Sequence, residues 1–282
     1  MASLESRREP AFERSSAVAE RRRRRAGRSG RAANTASEPG TGHVFGLHAV
    51  RSVIDRRPQA IRRAWLLEGT LRGPLAELEL ALLHAGCTAE RLPRTALNLL
   101  AQGGTHQGVV LEVQPLASFS LTEFEDLVSA TGSALRLLVL DQVEDPRNLG
   151  ACLRSAAAAG IHAIVVPKDR AAPLSAAAVK AAAGAAELVP VVRVTNLART
   201  LRFLSEAGVR IVGAAADAPQ TLYDTPLAAP LAVVLGSEGA GLRRLTRECC
   251  DALFRIPMHS SVESLNVSVT AGIVLFEALR RA

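Results

Sequence analysis

Three short polar segments in the C-terminal part of the chain hold residues that could do chemistry. The first follows the apolar run 137–140 and contains Asp145-Pro146, Asn148 and, six residues later, Arg154. Proline restricts the residue before it, so Asp145-Pro146 predicts a turn, and Asn148 suits the N-cap of a following helix. Such turn and cap roles would explain these residues without any function. Arg154 favours a ligand site, because an arginine in the first turns of that helix could project towards the strand ends and bind a phosphate or a carboxylate.

A glycine-rich turn forms the second polar segment. The apolar run 233–235 leads into residues 236–241, which contain three glycines and Glu238. Glycines allow positive φ angles and a close approach of the backbone to a ligand. The segment is not a P-loop, and it lacks the position of a dinucleotide-binding fingerprint, which follows the first strand of its unit. Glu238 favours a ligand-binding function, because a flexible turn is an unusual place for an acid with only a structural task.

The third segment follows Ile256-Pro257 and holds Ser264, Asn266 and Ser268, which alternate with apolar residues at the start of the final amphipathic stretch. Hydroxyl and amide groups at such a position could simply cap a helix. They are equally suited to holding an uncharged polar ligand. The sequence leaves both interpretations open.

Each polar segment lies directly after a predicted strand. The pattern predicts strands near 136–141, 162–166, 188–194, 209–215, 231–235 and 252–256, and helices near 149–159, 174–185, 196–207, 243–250 and 265–280. This alternation indicates an α/β fold with a mostly parallel sheet and helices on both faces. Ligands bind at the carboxyl ends of the strands in such sheets, so we expect the three segments to meet at one edge.

The N-terminal half of the chain divides into three parts. Residues 43–115 predict a small α/β unit, with helices at 46–54, 73–85 and 94–101 and strands at 64–67 and 108–113. Residues 116–133 are predicted to be a linker with a short helix near 123–128. Residues 1–42 have few large apolar side chains, so we expect them to be disordered.

Composition narrows the function classes. Aromatic residues make up only 3%, which argues against an aromatic stacking platform for single-stranded nucleic acid. Ten Arg and five Glu in residues 1–42 supply +5 of the net charge of +7, so the rest of the chain is nearly balanced. The basic tail either attracts polyphosphate through counterion release or only raises solubility.

The cysteines and the hydropathy pattern point to a cytoplasmic protein. The four cysteines contain no C-x-x-C pair, which argues against a metal site and a disulfide framework and favours buried free thiols: Cys87, Cys152, Cys249 and Cys250. No apolar run is long enough for a transmembrane helix, and the N terminus lacks the apolar core of a signal peptide.

Taken together, the order, spacing and residue types of the three segments resemble the SpoU (TrmH-like) class of RNA ribose 2′-O-methyltransferases. The resemblance covers residues from about 43 to 282. Residues 145–155, 166–170 and 194–200 are similar to members that methylate a guanosine in the peptidyl-transferase P loop of 23S rRNA. The resemblance implies S-adenosylmethionine as the methyl donor, 23S rRNA as the partner, a role in ribosome biogenesis, and a homodimer.

The resemblance also implies a domain organisation. Residues 43–115 would form an RNA-binding domain resembling ribosomal protein L30e, and residues 134–282 a methyltransferase domain whose C terminus is threaded into a trefoil knot (the SPOUT fold). Periodicity alone does not predict such a thread, because knots are nearly absent from protein folds.

Site residues follow from the same resemblance. Asn148 and Arg154 match the active-site pair of the family's first motif, and Glu238 matches the acid of its second motif. Ser264 and Asn266 match the polar residues of the third motif. The backbone contacts to the cofactor fall at three further positions, Gly236, Ile256 and Leu265. No metal is implied.

The implied reaction is an in-line attack of a ribose 2′-hydroxyl on the sulfonium methyl group. Because that hydroxyl is a poor nucleophile at neutral pH, it needs a proton acceptor or electrostatic help. Arg154 either accepts the proton, which conflicts with the high usual pKa of arginine, or stays charged, holds a phosphate and stabilises the developing alkoxide.

Other functions remain as alternatives. Within the family, the substrate could be transfer RNA or another ribosomal nucleotide, since substrate choice depends on the N-terminal domain and on RNA shape. A non-catalytic RNA-binding assembly factor is a second alternative, and a nucleotide-binding oxidoreductase is disfavoured. His106, in a glycine-containing loop before the strand at 108–113, is either a structural histidine or an RNA contact.

Overall fold

The computed structural model describes residues 42–116, 119–259 and 264–282, which belong to one compact unit. The predicted disordered tail falls outside the described residues except for Gly42. That residue begins the first strand, one position before the predicted start of the folded part.

The N-terminal part is a four-stranded mixed sheet with three helices. In chain order its elements are β1 (Gly42–Phe45), α1 (Leu47–Arg56), β2 (Ile61–Leu67), α2 (Pro74–His84), β3 (Ala89–Leu92), α3 (Arg94–Leu100) and β4 (Val109–Val113). The strand order is β1-β4-β2-β3, with β4 antiparallel to both of its neighbours and β2 parallel to β3. The sequence pattern missed β1 and β3, because these strands have only four residues each and alternate weakly.

The C-terminal part is a seven-stranded parallel sheet. Its elements are α4 (Leu121–Thr131), β5 (Arg136–Leu140), α5 (Pro146–Ala158), β6 (Ala163–Pro167), α6 (Ala176–Ala182), β7 (Val191–Val194), α7 (Leu197–Glu206), β8 (Arg210–Ala214), β9 (Gln220–Thr221), β10 (Leu231–Leu235), α8 (Arg244–Glu248), β11 (Ala252–Arg255) and α9 (Val267–Arg280). The strand order is β7-β6-β5-β10-β8-β11-β9. All six predicted strands are present, and the two-residue β9 was not predicted.

Both faces of this sheet are covered, as the apolar strands require. Along β5, Leu138 and Leu140 pack into the core beneath α5, α6 and α9, whereas Leu137 and Val139 pack into the core beneath α4 and α7. Successive side chains of a strand point to opposite faces, so a strand buried on both sides is apolar throughout. Polar side chains with a function are therefore expected mainly at the ends of the strands.

Helix α4 shows that the predicted linker at 116–133 contributes to the core. Ser120 and Glu123 form a capping box that starts the helix, and Phe124 and Val128 are buried against the sheet. The predicted short helix is present but runs for 11 residues. A linker was expected because serine and glycine flank this helix; they instead provide its N-cap and its C-terminal stop.

Helices α5 and α6 pack unusually close to each other. A Cβ atom at Gly150 would lie 2.4 Å from the carbonyl oxygen of Ala178 and 2.5 Å from the Cβ of Ala181. Real Cβ atoms do not approach so closely, so only glycine fits at this position. The helix that carries Asn148 is thus seated directly on its neighbour.

A nearly buried ion pair joins the N-terminal part to the C-terminal sheet domain. Arg57, just after α1, donates from Nη2 to Oε1 of Glu187 at 2.9 Å and makes a second contact through Nε. Glu187 is only 3% exposed, and Nη1 of Arg57 donates to the carbonyl oxygen of Gln114 at 2.7 Å. The bidentate geometry is the one that compensates best for desolvation of the charges.

The cysteines differ in part from their predicted burial. Cys152 is buried as expected, but Cys87, Cys249 and Cys250 are only partly buried. Burial raises the pKa of the Cys152 thiol, and is the main cause that raises that of Cys250, to about 12 in each case. None of the helices within the described ranges is long and apolar enough to cross a membrane.

Candidate active site

The three polar segments meet at the carboxyl edge of the parallel sheet, as the sequence predicted. The first follows β5, the second follows β10, and the third follows β11. Strands β5 and β10 are direct neighbours, and β8 separates β10 from β11. Segments distant in sequence therefore converge on one place because parallel strands end on the same side.

A single carboxylate oxygen connects the three segments. Oε1 of Glu238 accepts hydrogen bonds from Nδ2 of Asn148 at 3.0 Å and from Nδ2 of Asn266 at 2.7 Å. It also accepts from the backbone N–H of Val267 at 3.3 Å, and Nδ2 of Asn266 lies 3.0 Å from Oδ1 of Asn148. Glu238 and Asn266 are exposed and Asn148 is half-buried, so a large substrate can reach the cluster.

Asn148 is not the helix cap that the sequence suggested. Asp145 caps α5 by accepting from the backbone N–H of Arg147 at 2.8 Å, and Pro146 is the first helical residue. A proline at the first helical position costs no hydrogen bond, so the helix starts earlier than predicted. Asn148 therefore lies within the first turn, and its amide is available to Glu238.

Asn266 has both of the functions that the sequence left open. Its Oδ1 caps α9 by accepting from the backbone N–H of Ser268 at 2.9 Å. Because the cap fixes Oδ1 towards the helix, Nδ2 must point away from it, towards Glu238 and Asn148. The cap thus orients the amide that joins the third segment to the other two.

A cavity of about 170 Å³ opens beside this cluster, between the ends of β8, β10 and β11. The three residues predicted to contact the cofactor, Gly236, Ile256 and Leu265, line this cavity. Ser264, from the third motif, lines it too. The remaining lining is mostly apolar, and its polar members are Ser237, Glu238, Arg255 and Thr270. A mainly apolar cavity with a few convergent polar groups suits a purine ring with a polar tail, and S-adenosylmethionine has this character.

Gly236 is required for the shape of the loop at the mouth of this cavity. A Cβ atom at Gly236 would lie 2.1 Å from the carbonyl carbon of Gly241, because the loop folds back on itself. Gly241 donates its N–H to the carbonyl oxygen of Ser237 at 3.0 Å and has a φ of 66°. The tight turn brings Gly236 and Gly241 to the cavity next to Ser237 and Glu238.

Asp141 and Arg243 form a contact that the sequence analysis missed. Asp141 is fully buried, and its carboxylate accepts from the backbone N–H of Arg243 at 3.0 Å and from Nε of Arg243 at 2.6 Å. The pair fastens the end of the glycine-rich loop to the end of β5. The available signal was an acid placed directly after a buried strand, which is an unfavourable position for a charge without a partner.

Arg154 is not part of the cluster within one chain. It lies six residues after Asn148, which corresponds to about 9 Å along the helix and about 240° around it. Its side chain is exposed and forms no hydrogen bond or ion pair with any residue that the structure describes. Helical periodicity places it on another side of α5 from Asn148, and its expected projection towards the strand ends stays a prediction.

His106 is a structural residue. It is 3% exposed, its Nδ1 accepts from the backbone N–H of Gly108 at 3.0 Å, and its Nε2 pairs with Oδ1 of Asn98 at 3.0 Å. Burial lowers the pKa of this imidazole, and Arg94 adds to the effect. A neutral ring that holds the turn before β4 fits both contacts.

Comparison with known proteins agrees with this fold and site. The model of the "SpoU rRNA Methylase family" matches residues 136–276, and that for "RNA 2'-O ribose methyltransferase substrate binding" matches residues 43–119. The chain belongs to the SpoU rRNA methylase family.

Among its relatives, the chain is similar to the 23S rRNA (guanosine-2'-O-)-methyltransferase RlmB of Escherichia coli strain K12, with 48% identity over 84% of this chain and 98% of that protein. It is equally similar to RlmB of Vibrio vulnificus, with 48% identity over 84% of this chain and 96% of that protein. A solved structure with the same fold is the SpoU methyltransferase AviRb from Streptomyces viridochromogenes in complex with AdoMet, with a TM-score of 0.70, 24% identity, and coverage of 86% of this chain and 90% of that one.

We expect Glu238→Gln to lower the rate of methyl transfer about 10- to 100-fold while leaving the melting temperature nearly unchanged. Hydrogen bonds to a charged group contribute about 1.5–3 kcal/mol, and the glutamine amide can satisfy only part of the three-donor arrangement. Single-turnover kinetics and thermal unfolding would measure both effects. Glu144→Gln is the matched control, because Glu144 is an exposed neighbour in the same region. Equal rates for the two variants would contradict an organising function for Glu238.

Proposed function

We propose that the protein transfers a methyl group from S-adenosylmethionine to the 2′-hydroxyl of a guanosine ribose in 23S rRNA, in the cytoplasm. The observation that carries this proposal is the contact of Asn148, Glu238 and Asn266 beside an apolar cavity at the strand ends. The relatives named for this reaction support it, since they are 48% identical over nearly their whole length.

The finer features of the family are part of the same proposal. The target guanosine lies in the peptidyl-transferase P loop, residues 43–115 form an L30e-like RNA-binding domain, and the end of domain 134–282 is threaded into a trefoil knot. The mixed sheet of β1–β4 supports the first domain. The start of α9 beside the loop 236–241, and its packing on β10 and α5, support the threaded end.

The chain's own residues bind and orient in this reaction, and the cofactor supplies the methyl group as a sulfonium. Gly236, Ile256 and Leu265 hold the cofactor in the cavity, with Ser264 at its polar side. Oε2 of Glu238 accepts no hydrogen bond from the described residues and so faces the substrate side. Asn148 and Asn266, held by Glu238, would orient the ribose and its 2′-hydroxyl for the transfer.

Mapping of 2′-O-methyl groups in ribosomal RNA tests the proposal directly. Ribosomal RNA from cells with and without this protein should differ at one guanosine of 23S rRNA, in the P loop. Methylation by the purified protein, of a transcript that contains this loop, should depend on S-adenosylmethionine. A loss of methylation in transfer RNA, with 23S rRNA unchanged, would overturn the substrate assignment and favour the transfer-RNA alternative.

We propose that the protein is a homodimer that packs through α9. Val269 and Phe276 are exposed on one stripe of this helix, and Gly272 between them lies beside Ser155 of α5. Arg154, the residue before Ser155, is exposed and therefore lies next to this stripe. In the dimer it would approach the active site of the second copy. Large apolar side chains grouped in this way typically mark an interface.

We expect Phe276→Asp to convert the dimer into monomers, because a charge would be buried in the interface. Light scattering coupled to size exclusion measures the mass in solution. Leu80→Asp is the control: Leu80 is 58% exposed on α2, in the other part of the chain, and its replacement should leave the mass unchanged. A dimer that survives Phe276→Asp would contradict this interface.

Arg154 stays charged in our proposal, and it holds a phosphate and stabilises the developing alkoxide. Arg154→Ala and Arg154→Lys should then both lower methyl transfer by about 100-fold or more, since lysine cannot form the bidentate contact, and both should keep the pH profile of the parent protein. Rate measurements from pH 6 to pH 10 would test this. Activity that is restored by lysine with a shifted pH profile would instead identify Arg154 as the proton acceptor.

A further inference from the structure

We infer that a second cleft at the same edge of the sheet binds a backbone phosphate of the substrate RNA, next to the methylated nucleotide, with Arg243 as its main ligand. This inference rests on the proposed function. The cleft has a volume of about 490 Å³ and lies where β6, β7 and the loop before α8 come together. The side chains that matter for binding are Asp169, Thr195, Asn196, Arg243 and Arg244.

Arg243 is fixed in a way that leaves half of its guanidinium available. Its Nε and backbone N–H are bound to the buried Asp141, which stops the side chain from swinging into solvent. Its two terminal nitrogens have no hydrogen-bond partner within the described part of the chain, and its side chain is 41% exposed. Two terminal nitrogens held in one plane match two oxygens of a phosphate, so the donors are already oriented for bidentate binding.

The other groups of the cleft supplement this contact. Arg244 carries a second positive charge, although its Nη1 is bound to Glu248 at 2.6 Å in an exposed pair. Asn196 uses its Oδ1 to cap α7, by accepting from the N–H of Arg199, which leaves its Nδ2 as a donor on the cleft side. Asp169 is the opposing charge on the rim, and the exposed Lys168 next to it offsets that charge.

The position of the cleft relative to the proposed methylation site fits one RNA strand. Asp169 lines the Arg243 cleft, and the next residue, Arg170, lines a neighbouring cleft together with Asn148 and Glu238. Consecutive residues of the loop after β6 thus line the two clefts. The contact with Asp141, at the end of β5, orients Arg243 and also holds the glycine-rich loop. The phosphate site and the cofactor cavity are therefore held in a fixed position relative to each other.

Two matched arginine-to-lysine variants separate the effect of the bidentate contact on RNA binding from the effect of net charge. Arg247 lies four residues from Arg243, has the same side-chain exposure of 41%, and pairs with an aspartate, Asp217, through both terminal nitrogens. Both Arg243→Lys and Arg247→Lys keep the charge, but only the first removes unpaired donors from the cleft.

The affinity for a 23S rRNA fragment with the P loop should be measured by fluorescence anisotropy with S-adenosylhomocysteine present. We expect Arg243→Lys to weaken binding about 10- to 100-fold, as for loss of a hydrogen-bonded charged contact, and Arg247→Lys to change it less than 2-fold. Calorimetric binding of S-adenosylhomocysteine monitors the loop, because Arg243 also holds the loop through Asp141. The RNA affinities are therefore compared at saturating S-adenosylhomocysteine, and Arg243→Lys keeps an ammonium group and the backbone N–H for Asp141. Equal affinities of the two variants for the RNA would overturn the inference.

A second measurement uses the unaltered protein and so does not depend on the folding of a variant. Methylphosphonate replaces one charged phosphate at a time on either side of the target nucleotide. One position should weaken binding to the unaltered protein, and the same position should have a smaller effect on Arg243→Lys, because lysine keeps the attraction between charges but has already lost the bidentate contact. If no single flanking phosphate matters, or if the two losses add in full, the phosphate site does not exist as described.

The outcomes separate the two levels of the proposal. If the protein binds the fragment but transfers no methyl group, the proposed function fails, while the comparison of the variants still decides the phosphate site. If methyl transfer occurs and the two lysine variants bind equally well, the phosphate site alone fails. A fragment that is neither bound nor methylated overturns both.

Discussion

The arrangement of the site depends on one oxygen atom, Oε1 of Glu238, which lies in the segment after β10 and accepts hydrogen bonds from the segments after β5 and β11. Asn148 reaches it from α5, and Asn266 and Val267 reach it from the start of α9. Nδ2 of Asn266 also contacts both other segments, through Glu238 and through Oδ1 of Asn148, but Oε1 of Glu238 is the acceptor that all these donors share. Each donor lies at the start of a helix, either α5 or α9. The carboxylate therefore fixes both helix starts relative to the glycine-rich loop, and with them the proposed place of the ribose and the mouth of the cavity. Removal of its charge therefore affects the geometry of the whole edge and not a single contact.

Much of this fold was predictable from local pattern. The apolar runs at β5, β6 and β10 are buried on both faces, and a predicted helix follows each of them along the chain. The strands that were missed, β1, β3 and β9, have two to four residues, too few to show a pattern. The order of strands in the sheet was not predictable, because it is set by long-range pairing. Neither was the position of α4 in the core, whose capping residues have the composition of a linker.

The site was predictable in its membership but less so in its geometry. The resemblance of motifs grouped Asn148, Glu238 and Asn266, and the structure shows that these three side chains are in contact and through which atoms. Arg154 shows the limit of spacing arguments: it matches the motif, yet the helix turns it away from the cluster within one chain. Asp141 and Arg243 show the opposite limit. They are 102 residues apart, and nothing in a local pattern indicates that a buried acid after one strand takes its partner from the loop after another.

The close seating of α5 on α6 at Gly150 has a consequence for the interpretation of genetic screens. Asn148 lies two residues before this glycine, so the position of its side chain depends on a close helix contact that involves no polar side chain. Any side chain at position 150 would lift or rotate the helix and misdirect an otherwise intact amide. Loss-of-function alleles should therefore accumulate at a residue with no chemistry of its own, and an inactive allele at this position would be mistaken for evidence of a catalytic residue.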